Sequence, residues 1–95
     1  MSETAANQTA APKPDLRLLM EQVVKMLVEK PDEVKLDTKD EDGETVFYLN
    51  VAPQDLGRVI GKQGRTARSL RALLEAAGER QNRRCDLEIL EEDEE

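Results

Sequence analysis

A short segment flanked by glycines, Gly61-Lys62-Gln63-Gly64, has the residue types and spacing that favour binding chemistry. Two glycines three positions apart permit a tight turn, because glycine tolerates positive φ and lets another backbone approach closely. A helix predicted to begin at Arg65 would direct its free N–H groups and the positive end of its dipole towards this turn. With Lys62 at the tip, the segment is suited to holding a phosphate group. A Gly-x-x-Gly segment alone is also typical of an ordinary turn between helices.

The helix that follows the turn is predicted to be basic on one face. At about 100° per residue, three arginines fall within roughly 120° of one another, and apolar residues lie opposite them. The basic face carries Arg65, Arg68 and Arg71. Arg71 is two turns from the glycines, and an ordinary solvated side chain explains it equally well.

Other kinds of site do not fit the composition. The phosphate loop of nucleotide hydrolases needs four residues between its glycines and Ser or Thr after its Lys, whereas three residues separate Gly57 from Gly61 and Gln63 follows Lys62. The 95 residues include no His and one Cys, which excludes a Ser/His/Asp or Cys/His pair, a cysteine zinc site and an internal disulfide. We expect no enzyme, no catalytic residue, no cofactor and no metal site.

The charge of the chain is segregated. Its 14 Lys and Arg against 21 Asp and Glu give a net charge of -7, but residues 54–85 carry +5, residues 1–53 carry -5 and residues 86–95 carry -7. Because salt screens charges beyond about 8 Å at physiological ionic strength, a ligand on the middle block would respond mainly to that block. The overall acidity therefore does not exclude a polyanionic partner.

The first half of the chain predicts one helix and a hairpin. Apolar spacing predicts a helix over residues 16–29, with Asp15 as its N-cap and Pro31 ending it. Alternating residues predict strands over 34–39 and 45–51, joined by a turn at 40–43. The exposed face of the second strand is predicted to carry Val46 and Tyr48.

The second half predicts a short helical turn over 54–60, a helix from 65 to about 77 with Gly78 as its C′ residue, and a strand over 85–90. The element order is helix, strand, strand, helix, helix, strand. Because a helical crossover joins the last two strands, we expect them to be parallel. Cys85 is expected to be a small buried residue.

The ends of the chain are predicted to lie outside the folded unit. Residues 1–14 lack a periodic apolar pattern and predict a disordered tail, 15–90 predict the domain, and 91–95 form an acidic tail. No apolar run approaches the roughly 18 residues of a membrane span, and the N-terminus does not look like a secretory signal. We therefore expect a cytoplasmic protein without a membrane span.

The segment Val59-Ile60-Gly61-Lys62-Gln63-Gly64 resembles the hallmark of the KH domain, in which an apolar residue, Ile and Gly-x-x-Gly lie between two helices. The extra helix and strand before the core resemble the type II, bacterial form. Residues 51–67 are similar to the single-domain bacterial KhpA family, and the resemblance covers about residues 15 to 91. It implies an α+β fold with a three-stranded mixed sheet and three helices on one face.

The resemblance also implies a site. In this family the Gly-x-x-Gly loop clamps the backbone of about four nucleotides of a single strand, and an adjacent apolar groove takes the bases. Carried over, Gly61, Lys62, Gln63 and Gly64 form the clamp, and Arg65 and Arg68 add positive charge beside it. The groove would be lined by Ile60, Val59 and Ala67.

The implied function is binding of single-stranded RNA, as an RNA chaperone or post-transcriptional regulator. The resemblance further implies a homodimer or a heterodimer with a larger KH-containing partner of the KhpB type. The alternative is a protein-interaction module that dimerises, with an incidental basic face, which Val46, Tyr48 and Leu90 motivate. Two interpretations of the acidic residues 91–95 stay open: a phosphate mimic that covers Lys62, Arg65 and Arg68, or a tail that keeps the chain soluble.

Overall fold

A computed structural model of the chain describes residues 14–91. The predicted N-terminal tail up to residue 13, and residues 92–95 of the predicted acidic tail, lie outside the described residues. The helices and strands are α1 (Leu16–Lys25), β1 (Lys35–Glu41), β2 (Glu44–Asn50), α2 (Leu56–Ile60), α3 (Arg65–Glu79) and β3 (Arg84–Ile89). Short 3-10 turns precede β1, α2 and α3.

The sheet has the order β1-β2-β3, so β2 is its central strand. β1 pairs antiparallel with β2 across the two-residue turn Asp42-Gly43, and both turn residues have positive φ. β2 pairs parallel with β3 after the crossover through α2 and α3. The predicted fold class, α+β with a three-stranded mixed sheet and three helices, is confirmed.

The core lies between the sheet and the helices, and the periodicity of the elements builds it. Alternate residues of β2 and β3 face the helices, and every third or fourth residue of α1 and α3 faces the sheet. Its largest buried apolar side chains are Phe47, Met20, Leu49, Leu74 and Leu87. This core supports α2 and the start of α3, and thereby the glycine turn between them.

The first helix is shorter than predicted. Asp15 caps it as expected, accepting from two N–H groups of the first turn, but α1 ends at Lys25 instead of residue 29. Beyond Lys25 the chain turns so that the N–H groups of Glu29 and Lys30 both donate to the Asp55 carboxylate, at 3.0 Å each. Contacts with a residue distant in sequence therefore replace the last helical turn.

The outer face of β2 differs from the prediction. Val46 was expected to be exposed, but only 8% of its surface is accessible. Val46 lies in register with Lys39 on β1 and Asp86 on β3, and the side chains of these neighbours share its face of the sheet. Tyr48 is half-buried, and its hydroxyl donates to Glu41 Oε2 at 3.0 Å. The outer face thus offers less apolar surface than the sequence indicated.

Gly78 is not the C′ residue of the last helix. It lies inside α3 and is buried, and a Cβ there would come within 2.8 Å of Cys85 Sγ and 3.0 Å of the Arg83 carbonyl oxygen. The glycine thus permits close packing of α3 on β3, and the chain turns at Asn82, which has a φ of 58°. Cys85 is buried as predicted, and burial raises the pKa of its thiol.

Candidate nucleic-acid interface

The glycine turn forms as the sequence predicts. α2 ends at Ile60, and Gly61, with a φ of 79°, donates its N–H to the Gly57 carbonyl at 2.8 Å. A 3-10 turn follows over Lys62–Gly64, in which the Gly64 N–H donates to the Gly61 carbonyl at 3.1 Å. We call residues 61–64 the glycine loop. Three of its four residues have positive φ, so the chain reverses within one turn.

Close packing against α3 explains the glycine at position 61. A Cβ on Gly61 would lie 2.7 Å from Thr66 Cβ and 2.8 Å from the Thr66 backbone nitrogen, as well as against Thr66 Oγ1. No L-residue can occupy this position without moving the first turn of α3. The glycine loop is therefore held directly against the N-terminus of that helix.

The N-terminus of α3 is open in the sense that no side chain caps it, unlike that of α1. Asp15 supplies a carboxylate to the first N–H groups of α1, whereas α3 is preceded by Gly64, which has no side chain to accept from them. No acidic residue lies in the first turn of α3. The Arg65 N–H donates to the Lys62 carbonyl oxygen, and the positive end of the helix, which no side chain caps, favours an anion at this position.

Lys62 and Arg65 add two cations to the open helix end. Both side chains are exposed, and neither has a hydrogen-bond or ion-pair partner within residues 14–91. Lys62 lies in the glycine loop and Arg65 begins α3. The two side chains remain available for an external anion such as a phosphodiester.

The other two arginines of the predicted basic face are engaged by the protein. Arg68 is exposed, but its Nη1 donates to the Gln63 carbonyl oxygen at 3.0 Å. Arg71 is half-buried, and its Nε donates to the Leu87 carbonyl oxygen at 3.1 Å, on the outer edge of β3. The row of arginines thus contains one free side chain followed by two that bind main-chain oxygens.

The residues expected to line an apolar groove differ in exposure. Ile60 is half-buried and presents surface beside the glycine loop. Val59 is 0% exposed and Ala67 is 5% exposed, because both lie on the faces of their helices that pack into the core. Of the three, only Ile60 offers appreciable surface to a ligand, and Val59 instead packs in the hydrophobic core.

A buried carboxylate that the sequence analysis missed anchors α2. Asp55 is 0% exposed and accepts from the N–H groups of Glu29 and Lys30 and from Arg58 Nη1, the last at 3.3 Å. The Asp55 pKa lies below its ordinary value of 3.8, mainly because the carboxylate accepts a hydrogen bond from the Glu29 N–H. Burial opposes this effect and raises the pKa, whereas the hydrogen bond from Lys30 N–H and the charge of Arg58 lower it further. Arg58 also pairs with Glu29 Oε2 at 2.9 Å.

This anchor fixes the position of the glycine loop relative to α1. The only sequence signal for it was an Asp just before a short helix, which is also typical of an ordinary N-cap. Its real partners are main-chain groups 25 and 26 residues earlier in the chain, a pairing that no local pattern predicts.

The described part of the chain lacks two other kinds of feature. Within residues 14–91, no group of three or more His, Cys, Asp or Glu side chains could hold a metal ion. None of the helices in that range is long and apolar enough to cross a membrane.

Comparison with known proteins identifies the family. The family model described as KhpA/KhpB, KH domain, matches residues 17–89. RNA-binding protein KhpA of Borreliella burgdorferi is 47% identical over 73 residues, covering 77% of this chain and 89% of the relative. The proteins of the same name from Clostridium acetobutylicum and Halalkalibacterium halodurans are 40% and 41% identical, covering 79% and 80% of this chain and each relative completely.

Among solved structures, a variant of Aquifex aeolicus Era bound to GDP and aluminium fluoride matches with a TM-score of 0.46 and 26% identity. The match covers 80% of this chain and 31% of the Era chain. The family match spans nearly the whole described domain and includes the glycine loop. The chain belongs to the KhpA/KhpB family of KH domains.

Proposed function

We propose that this protein binds single-stranded RNA, and that the glycine loop grips the phosphodiester backbone. The observation that carries the proposal is the open N-terminus of α3, which faces a glycine turn and has two unpaired cations, Lys62 and Arg65, beside it. The site lies in the block of residues 54–85, which carries +5 in a chain of net charge -7. The naming of its relatives as RNA-binding proteins supports the same conclusion.

The contacts divide by chemistry. Phosphate oxygens accept from those N–H groups of the glycine loop and of the first turn of α3 that have no acceptor in the protein, and Gly61 and Gly64 permit the turn conformation that presents them. Lys62 and Arg65 neutralise phosphate charge, Gln63 contributes its side-chain amide, and Ile60 contacts a base. RNA chaperone activity or post-transcriptional regulation would follow from such binding.

The size of the site limits its affinity. If Lys62 and Arg65 each neutralise one phosphate, log K falls against log salt with a slope of about -1.4, because each contact with a single strand releases roughly 0.7 counterion. Two sites on one RNA raise the effective affinity without new contacts, so we propose a homodimer, or a complex with a larger KhpB-type protein, as the working form.

The double variant Lys62→Asp, Gln63→Asp tests the proposal. It reverses the charge of the glycine loop and retains a residue type that tolerates the positive φ of Gln63. We expect fluorescence anisotropy with a short labelled single-stranded RNA to show loss of binding, while circular dichroism shows an unchanged fold.

The matched control places the same charge change on β1. The variant Thr38→Asp, Lys39→Asp alters two exposed residues outside the site by the same net charge. We expect it to retain RNA affinity to within about twofold. Retained binding in the loop variant, or equal loss in both variants, would refute the glycine loop as the site.

A protein-interaction module is the second candidate. Exposed leucines favour it: Leu90 is 43% exposed, and Leu18, Leu19 and Leu73 on the helices are 47%, 37% and 42% exposed. The burial of Val46 disfavours it, because this side chain leaves little apolar surface on the outer face of the sheet. Absorbance at 260 nm that ribonuclease removes from the purified protein supports RNA binding, whereas nucleic-acid-free protein that sediments as a dimer supports the interaction module.

A further inference from the structure

The two exposed arginines nearest the glycine loop differ in what they bind. The Arg65 side chain has no partner within residues 14–91, whereas Arg68 Nη1 donates to the Gln63 carbonyl oxygen at 3.0 Å. The same nitrogen lies 3.4 Å from the position that a Cβ on Gly64 would occupy. The Arg68 guanidinium therefore lies across the loop and is already committed to its backbone.

The loop needs such a contact because its backbone conformation is unfavourable. Gln63 has a φ of 57° and a ψ of 26°, a left-handed conformation that L-residues with a Cβ seldom adopt. Conformations of this kind persist only where surrounding contacts hold them. Within the loop itself, the bond from Gly64 N–H to the Gly61 carbonyl holds the turn, and Arg68 adds a charge-assisted bond at Gln63.

The electrostatics favour the same role. The Gln63 carbonyl oxygen carries a partial negative charge, which repels phosphate from the loop proposed to bind it. The adjacent Arg68 guanidinium offsets this repulsion. To contact a phosphate fully, the Arg68 guanidinium would have to be shared with or withdrawn from this oxygen, whereas Arg65 has no such commitment.

We propose that Arg68 is a positioning residue that holds the glycine loop in its binding conformation, and that Lys62 and Arg65 make the phosphate contacts. This inference rests on the proposed RNA binding and refines it. A loop that is ordered only part of the time binds with its affinity reduced by that fraction. Loss of the Arg68 bond thus weakens binding without changing the number of phosphates that are neutralised.

Two variants with the same change of charge, Arg65→Gln and Arg68→Gln, separate the roles. Their dissociation constants for a labelled single-stranded RNA of about ten nucleotides are measured by anisotropy over a series of salt concentrations. For Arg65→Gln we expect the salt slope to decrease by about 0.7, the value for one lost phosphate contact. For Arg68→Gln we expect binding to weaken by up to about fivefold, the limit set by the loss of one modest hydrogen bond, with an unchanged slope.

A second measurement uses the RNA-free protein. In Arg68→Gln we expect the amide signals of Gln63 and Gly64 to broaden and their hydrogen exchange to accelerate, because the loop samples other conformations. In Arg65→Gln the same amides should match the wild type. A purely electrostatic role for Arg68 would leave the loop amides unmoved in both variants.

The outcomes distinguish this inference from the proposed function. If Arg68→Gln reduces the salt slope as much as Arg65→Gln, Arg68 contacts phosphate; the positioning role is then wrong, and RNA binding stands. If the wild type binds no RNA oligonucleotide, the proposed function fails and the role of Arg68 in binding fails with it. If the amide signals and hydrogen exchange of Gln63 and Gly64 are unchanged in Arg68→Gln, Arg68 does not order the loop, whether or not the protein binds RNA.

Discussion

Two turns of this protein share a backbone conformation and differ in nearly everything else. Asp42-Gly43 joins β1 to β2 with φ values of 53° and 80°, and Gln63-Gly64 precedes α3 with φ values of 57° and 75°. In each, a residue with a side chain is followed by glycine. Acidic residues surround the first turn, whereas Lys62, Arg65 and Arg68 surround the second.

The difference shows what makes a turn suitable for binding. A Cβ added to Gly43 meets nothing within 4 Å, so that glycine serves only the turn conformation. A Cβ added to Gly61, which begins the glycine loop two residues before Gln63, collides with the first turn of α3. Positive φ therefore marks both turns, but only the second is joined to an open helix end with cations beside it.

The largest expected effect comes from Gly61→Ala. The new methyl group forces the glycine loop away from Thr66, so we expect RNA affinity to fall more than tenfold and the melting temperature to drop. Affinity is measured by anisotropy, and melting by circular dichroism.

Gly43→Ala is the matched control for Gly61→Ala. Its φ of 80° also strains alanine, at a cost of about 1 kcal/mol of stability. Because the hairpin turn is outside the proposed site, RNA affinity should stay within about twofold of the wild type. Equal losses of affinity in the two alanine variants would remove the distinction between the turns.

The next largest effect is a loss of stability in a variant of Asp55, the buried carboxylate that joins the start of α2 to the segment after α1. In the wild type, the N–H groups of Glu29 and Lys30 each donate to a separate oxygen of the Asp55 carboxylate. Asp55→Asn leaves only one side-chain oxygen, so one of these donors loses its acceptor. We therefore expect the melting temperature at pH 7 to fall by several degrees. Asp42→Asn, an exposed change in the acidic turn, should leave the melting temperature nearly unchanged.

The effect of Asp55 should depend on pH with a defined sign. Since folding lowers the Asp55 pKa below its ordinary value of 3.8, its ionised form stabilises the fold above that pH. The stabilisation is lost as the pH falls below 3.8 towards the lowered value. The difference in melting temperature between wild type and Asp55→Asn should therefore be full at pH 7 and shrink below pH 3.8; a constant difference would contradict the ionised anchor.

The smallest expected effect comes from recharging the acidic turn. Adding Glu41→Lys and Glu44→Lys to the variant Lys62→Asp, Gln63→Asp more than restores the net charge. Because positive charge there has no open helix end beside it, we expect RNA affinity to recover by less than about twofold at physiological salt. Full recovery of binding would mean that net charge, and not the glycine loop, determines RNA affinity.

Much of the fold could be predicted because its signals are local. The apolar alternation in β2, the helical spacing in α3 and the capping by Asp15 each depend on residues a few positions apart. The glycine loop was predictable for the same reason, because two glycines between two helices define a turn regardless of the rest of the chain.

The errors concern residues whose neighbours are distant in sequence. α1 ends early because Asp55 takes two N–H groups beyond it, and Val46 is buried because β2 became the central strand. Helical spacing predicted the row of arginines on α3. It could not predict that Arg68 and Arg71 bind main-chain oxygens, because those oxygens belong to other parts of the chain.

The amino-acid sequence by itself determined the element order, the position of the glycine loop and the segregation of charge, because periodicity, glycine content and ionisation are properties of the residues and their near neighbours. Only the tertiary structure decided which cations remain free, which apolar residues keep exposed surface and where the loop is anchored. Those outcomes depend on which side chains and backbone groups meet after the chain has folded.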